Sequence, residues 1–199
     1  MTDELEVLRG DFSAFRDECV WCRVVFNTHQ ALFDQGDEVD QVLRESAAWF
    51  FHDYSVISQE YHVVQVGRLT ERADNGRNRN LTVEHIENSL ESLEKSSDEV
   101  SELARRLVKY RGRIDHSRNK LVAHRDVPTL RKPRQPRTWP SAEVYNFFSD
   151  LNAFCDAVAN QIGMEPLDFS ATPAKGDALD LIKLLRSKRA SEIGSNSSD

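Results

Sequence analysis

The sequence predicts an all-α protein, and three observations support that fold class. Gly and Pro are scarce, at 8 and 6 of 199 residues, and most of them fall between long segments. Within those segments apolar residues recur every three or four positions, which is the period of an amphipathic helix. The composition, 39% hydrophobic and 30% charged, is that of a soluble globular chain. We therefore expect a helical bundle of about five main helices plus a C-terminal helix.

The first two helices are predicted to be long. The first runs from about Asp3 to Phe33 and ends before Gly36, a residue that breaks helices. The second runs from about Glu38 to Leu69, is rich in aromatic residues, and is expected to be the central core helix. Its expected core positions are Val42, Leu43, Trp49, Phe50, Val56, Ile57, Tyr61, Val64 and Leu69.

Three further helices complete the predicted bundle. Thr82 is a suitable N-cap for a short helix from Val83 to about Glu94. A fourth helix runs from about Glu99 to His124. A fifth runs from about Ala142 to Ile162 and stops at Gly163.

The remaining segments predict connections and a C-terminal extension. Residues 127–140 hold four prolines and four basic residues, which favours an extended, exposed connection. A last amphipathic helix runs from Asp177 to about Ala190. We therefore divide the chain into a helical domain over residues 1–163, a loop and C-terminal helix over 164–190 docked on the bundle or on a partner, and a disordered tail over 191–199.

The charge is unevenly distributed along the chain. The formal net charge is −7, yet the window from Arg105 to Arg137 carries +10 and the remainder −17. A concentrated basic segment attracts phosphate through its local field, so a polyanionic partner is one interpretation. The other is a solvated basic face that pairs with acidic helices, and the charge pattern leaves both open.

Several classes of protein lack support in the sequence. No stretch approaches the roughly 18 apolar residues of a membrane span, and the acidic start Met1-Thr2-Asp3-Glu4 differs from a secretory signal, so a cytoplasmic location is expected. Cys19, Cys22 and Cys155 are expected to be reduced packing residues. Phosphate-binding loops, His-Glu-x-x-His helices and nucleophile elbows are missing, and we expect no metal and no cofactor.

One polar segment at the end of the fourth helix could carry chemistry. Arg118 and His124 are six residues apart, about 9 Å along an ideal helix, so a long guanidinium can fold back and both side chains can address one phosphate. Arginine clamps phosphate, and histidine takes or gives a proton near neutral pH. Asn119 adds a neutral donor and acceptor. Without acidic metal ligands, this set suits attack of a ribose 2′-hydroxyl on its adjacent phosphate.

This segment resembles a known family signature. Arg118-Asn119 followed by His124, with five residues between the Arg and the His, resembles the signature of the HEPN superfamily. The upstream segments Gly67–Asp74 and Asn80–Val83 are similar to those of the abortive-infection U-type HEPN subfamily, which is associated with phage defence.

The resemblance covers about Leu5 to Ile162 and implies a function. It implies a helical bundle, a homodimer with two Arg-His motifs side by side, and, in active members, a metal-independent endoribonuclease that leaves 2′,3′-cyclic phosphate ends. Arg118, Asn119 and His124 would then be catalytic. The residues expected to bind RNA are Lys120, Arg125, Arg131, Lys132, Arg134 and Arg137.

The implied partners are RNA, a second copy of the chain, and an antitoxin or other regulatory protein. We expect apolar surface of the fourth and fifth helices to hold the dimer. Two alternatives stay open. One is a HEPN module that binds a nucleotide, RNA or a protein without cleaving RNA. The other is a structural helical dimer in which Arg118 and His124 only cap a helix end, where cations are favoured.

Overall fold

The computed structural model describes residues 2–74, 76, 79–118 and 141–196. This part of the chain forms six helices: α1 (Thr2–Phe33), α2 (Asp37–Thr70), α3 (Val83–Ser92), α4 (Asp98–Arg118), α5 (Ser141–Ile162) and α6 (Ala178–Asn196). Among the described residues, a single isolated bridge between Asp74 and Arg79 is the only β-type pairing. The predicted all-α class is confirmed.

Helices α1 and α5 pack antiparallel and form the centre of the core. The ring of Phe26 stacks on that of Phe148 with centroids 4.5 Å apart, and at the far end Arg9 donates two hydrogen bonds, of 2.9 and 2.7 Å, to the carbonyl oxygen of Ile162. The apolar stripe of α5 is buried throughout: Val144, Phe147, Phe148, Leu151, Phe154, Cys155 and Val158. The stripe of α1 is buried from Leu8 to His29: Leu8, Phe12, Phe15, Cys19, Cys22, Phe26 and His29.

Helix α2 is bent, which the sequence did not predict. Ala47 has φ −164° and ψ 70°, so the helical path breaks there without a glycine or proline. Val39 and Phe51 are twelve residues apart, about 18 Å in a straight helix, yet both belong to one apolar cluster with Leu32. The bend therefore lets both segments of α2 bury their apolar residues at the end of α1.

Three expected core positions of α2 are wrong. Trp49, Phe50 and Ile57 are 80%, 62% and 56% exposed. Periodicity places apolar residues on helical faces but cannot tell which face a bend turns toward solvent.

Helix α6 packs on α1 and α2. Ile182 and Ala178 join the cluster around Leu32, and Arg189 forms an ion pair of 2.8 Å with Glu45. The helix continues to Asn196 rather than ending near Ala190, so the tail expected to be disordered is helical over its first six residues. The division of the chain at residue 163 stays a prediction.

The aromatic stack between α1 and α5 should contribute strongly to stability. Phe148 is 1% exposed and lies 4.9 Å from the guanidinium carbon of Arg23. We expect Phe148→Ala to lower the free energy of unfolding by about 3–5 kcal/mol, because it leaves a cavity in the core. Leu184 is 65% exposed on α6 and is the control. Leu184→Ala should change the free energy of unfolding by less than about 0.5 kcal/mol. Urea denaturation followed by circular dichroism measures both, and similar losses for the two variants would contradict this packing.

Candidate functional site

The candidate site begins where the description of α4 ends. Arg118 is the last residue of α4, and its side chain lies outside the described part of the chain. Asn119 and His124 also lie outside the described residues, as do the residues expected to bind RNA: Lys120, Arg125, Arg131, Lys132, Arg134 and Arg137. The structure thus shows where the site is attached to the bundle, and the roles of these residues stay predictions.

Helix α5 determines the position of the last described turns of α4. The ring of Tyr110 stacks on that of Phe147 with centroids 4.7 Å apart, and the guanidinium of Arg113 pairs with the carboxylate of Glu143. These contacts run antiparallel, so the end of α4 lies beside the start of α5. Residues 119–140, which carry the motif and the basic connection, therefore begin and end at one end of the bundle.

A second contact joins α4 to the end of α2. The guanidinium of Arg111 donates a hydrogen bond of 3.0 Å to the carbonyl oxygen of Thr70, the last residue of α2. Arg118 follows seven residues later, which is nearly two helical turns. The two arginine positions therefore lie on the same face of α4.

The upstream segments that carry the family resemblance cover the last turn of α2 and both ends of the connection to α3. The backbone N–H of Ala73 donates to the Glu84 carboxylate at 2.5 Å, and the N–H of Asn80 donates to the carbonyl oxygen of Ala73 at 2.7 Å. Thr82 caps α3 as predicted, with its hydroxyl oxygen accepting from the N–H of His85 at 3.2 Å. These residues close a tight loop, and Arg111 links α4 to the end of α2 where the loop begins.

The described half of the basic window is largely paired with acidic side chains. Arg105 bonds to Glu102 at 2.6 Å on α4, and Arg106 pairs with Asp150 of α5. Together with the ion pair of Arg113, these contacts compensate three of the charges within the bundle. These three arginines therefore fit the second interpretation, a solvated basic face that pairs with acidic helices.

A comparison with protein families decides the assignment. The model of a HEPN family described as AbiU2 matches residues 6–181. The chain belongs to the HEPN AbiU2 family. The match confirms the resemblance to the abortive-infection HEPN proteins. It extends beyond Ile162, the predicted end of the resemblance, into the first residues of α6. Neither the curated proteins nor the solved structures yielded a match.

Three histidines of this AbiU2 domain outside the motif have structural positions. His29 and His62 are buried, and Nδ1 of His29 lies 2.7 Å from the Ser58 hydroxyl. Nε2 of His85 lies 2.8 Å from an Asp11 carboxylate oxygen and joins α3 to α1. Asp11 and His85 are 74 positions apart in the sequence, so no local motif could have indicated their contact.

The three cysteines of the AbiU2 domain are buried and unbridged, as predicted. Burial raises the pKa of the Cys22 thiol to about 12. Burial, and next the hydrogen bond with Cys155, raise the pKa of Cys19 well above its usual value. Thiols in this state are poor nucleophiles and poor metal ligands, so the cysteines contribute packing rather than chemistry.

The described residues show neither a metal-binding cluster nor a membrane-spanning helix. Within ranges 2–74, 79–118 and 141–196, no three His, Cys, Asp or Glu side chains gather as a metal site would require. The described helices also include none with the length and apolar character needed to cross a membrane.

Buried His62 should make the AbiU2 domain acid-sensitive. Burial, and next the neighbouring His29, lower the pKa of His62 to about 3, whereas an imidazole in the unfolded chain titrates near about 6.5. Between these pH values only the unfolded state binds the proton, so stability is complete above about pH 6.5 and falls by roughly 1 kcal/mol per pH unit below it.

Urea denaturation at about pH 7, 6 and 5 measures this slope, and we expect His62→Gln to flatten it relative to wild type. The control His52→Gln, on the half-exposed surface of α2, should keep the wild-type slope. Equal slopes in wild type and His62→Gln would contradict the assignment to His62.

Proposed function

We propose that this chain is a metal-independent endoribonuclease that acts in phage defence or growth arrest, with Arg118, Asn119 and His124 as its catalytic residues. The observation that carries the proposal is the AbiU2 family match over residues 6–181, which spans the Arg-His motif. The attachment of that motif to the end of α4, beside the start of α5, supports it. The working unit is a homodimer in which two motifs form one composite site.

The reaction needs two proton-transfer groups, which one motif does not supply. The ribose 2′-oxygen attacks the adjacent phosphorus and gives its proton to the imidazole of one His124. The bond from phosphorus to the 5′-oxygen breaks, and the imidazolium of the second His124 protonates that oxygen. The product is a 2′,3′-cyclic phosphate and a 5′-hydroxyl. Arg118 stabilises the negative charge of the transition state, and Asn119 orients the phosphate.

The test of catalysis is cleavage of total RNA and of transfer RNA by the purified protein, with and without EDTA. Wild type should cleave in both conditions, and Arg118→Ala and His124→Ala should each lower the rate by about 100-fold or more, since each removes a group used in the transition state. His116→Ala, which changes a histidine of α4 eight residues before His124 in the sequence, is the matched control and should cleave like wild type.

Circular dichroism of the same variants shows whether they are folded. Cleavage that EDTA abolishes, or that persists in His124→Ala, would contradict the proposal. Salt-sensitive RNA binding without cleavage would instead support the alternative, a HEPN module that binds RNA without cutting it.

The basic connection should bind the RNA backbone rather than the bases. Arg131, Lys132, Arg134 and Arg137 alternate with prolines and have no interleaved aromatic residue before Trp139. Replacing all four basic residues by Ser should lower the slope of log affinity against log salt by about 3, at roughly 0.7 for each phosphate contact to single-stranded RNA.

Arg105→Ser is the matched control for this series, because its charge is already paired with Glu102, and it should leave the salt slope unchanged. Fluorescence anisotropy with a labelled RNA at several salt concentrations measures both slopes. An unchanged slope in the fourfold variant would place the RNA elsewhere on the protein.

A further inference from the structure

A second group of arginines lies at the end of α2 and in its connection to α3. Arg68, Arg72 and Arg79 are all exposed, and we call them the α2–α3 arginines. Residues 68–79 hold four arginines against two acidic residues, Glu71 and Asp74, which gives this stretch a net charge of +2. Neither the proposed chemistry nor the basic connection after α4 uses these residues.

The α2–α3 arginines differ from the other arginines of the bundle in their lack of partners. Within the described part of the chain, no ion pair or hydrogen bond involves their guanidinium groups. Among the arginines whose side chains are described, only Arg44 shares this state. Arg105, Arg106 and Arg113, in contrast, pair with carboxylates of α4 and α5. The charge of the α2–α3 arginines is therefore available to a ligand.

Two nearby carboxylates bind the backbone of the connection instead of these arginines. The carboxylate of Asp74 accepts a hydrogen bond of 2.6 Å from the N–H of Gly76. The carboxylate of Glu84 accepts one of 2.5 Å from the N–H of Ala73. The acidic side chains thus shape the connection, and the arginines beside them keep their guanidinium donors for other acceptors.

The backbone between Arg72 and Asn80 is held in a closed loop. The N–H of Asn80 donates to the carbonyl oxygen of Ala73 at 2.7 Å, and the side-chain amide of Asn80 donates to the carbonyl oxygen of Arg72 at 3.2 Å. Asp74 and Arg79 form the isolated bridge between the two sides of the loop. A backbone that is already ordered costs little further entropy when a ligand binds to it.

The α2–α3 arginines lie close to the helix that carries the motif. Arg111 of α4 donates to the carbonyl oxygen of Thr70, and Thr70 is midway between Arg68 and Arg72 in the sequence. Arg118 follows Arg111 by seven residues, about 10 Å along α4. One strand of a nucleic acid rises about 3.4 Å per nucleotide, so a few nucleotides span this distance.

The composition of this surface favours RNA over an acidic protein. The large hydrophobic residues that are exposed in the described part of the chain all lie outside residues 68–80. Protein interfaces depend on apolar anchors, whereas nucleic-acid interfaces are polar and positively charged. The stretch from 75 to 80 adds three asparagines to the arginines, and both side chains donate hydrogen bonds to phosphate.

We propose that the α2–α3 arginines form a second contact for the RNA backbone, which binds phosphates a few nucleotides away from the cleaved bond. The substrate is then an RNA that extends from the motif along α4 to the end of α2. This inference rests on the proposed function, because it takes RNA as the ligand of the motif.

Fluorescence anisotropy with a labelled single-stranded RNA tests the contact. The full chain carries His124→Ala in every sample, so that the RNA stays intact. Replacing Arg68, Arg72 and Arg79 together by Ser should lower the slope of log affinity against log salt by about 2, at roughly 0.7 for each phosphate contact. The dissociation constant near 0.1 M salt should rise by about 10-fold or more.

Two further variants control for general loss of charge and for folding. Arg44→Ser removes an exposed arginine near the other end of α2, and should leave the slope unchanged and the dissociation constant within about 2-fold. Replacing the three α2–α3 arginines by Lys keeps their charge and should keep the slope within about 0.5 of the parent protein. Circular dichroism shows whether each variant is folded, and the lysine variant keeps the test valid where the serine variant does not fold.

Several outcomes would overturn the inference. These are an unchanged slope in the serine variant, an equal loss of slope in Arg44→Ser, and a lysine variant that loses as much slope as the serine variant. Poly-glutamate is the probe for an acidic protein. Binding of poly-glutamate that the serine variant loses, with RNA binding unchanged, would assign this surface to such a partner and also overturn the inference.

Cleavage by the chain with His124 intact is measured separately. RNA binding that depends on the α2–α3 arginines, in a chain that does not cleave RNA, would support this inference and contradict the proposed function. Cleavage together with RNA binding that the serine variant leaves unchanged would contradict this inference alone. A chain that neither binds nor cleaves RNA would contradict both.

Discussion

The antiparallel packing of α4 against α5 determines where the Arg-His motif can lie. The stack of Tyr110 on Phe147 and the ion pair of Arg113 with Glu143 fix the axis of α4 over its last described turns. Arg118 ends that helix, so its position depends on aromatic packing two turns away. The bond from Arg111 to the end of α2 adds a second constraint on the same helix face. The candidate site therefore begins at a rigidly held helix.

The basic residues of the window fall into two groups, one in the helical bundle and one in the segment from Lys120 to Arg137. Inside the bundle, Arg105 and Arg106 pair with carboxylates of α4 and α5, so the acidic body compensates its own cations. The basic residues from Lys120 to Arg137 belong to the segment that carries the motif. Under the proposed function, these residues give an acidic protein a local positive field for RNA phosphate.

The sequence predicted the fold well where burial follows a simple period, as in the apolar stripe from Val144 to Val158. It predicted the family from Arg118, Asn119 and His124 together with the upstream segments Gly67–Asp74 and Asn80–Val83. It failed at the bend near Ala47, because no glycine or proline marks a break that tertiary packing imposes. The exposure of Trp49 follows from that bend. The contact of Arg111 with Thr70 joins positions 41 residues apart, so no local pattern could have indicated it.

The chemistry of the RNA ends tests the central claim most directly. A site of Arg118 and two His124 side chains uses the ribose 2′-hydroxyl as the nucleophile. Sequencing or mass spectrometry of fragments made in EDTA should therefore show 2′,3′-cyclic phosphate and 5′-hydroxyl ends. A substrate with a 2′-deoxyribose at the cleaved position should resist cleavage. Fragments with 3′-hydroxyl and 5′-phosphate ends would show that water is the nucleophile, and would contradict the account.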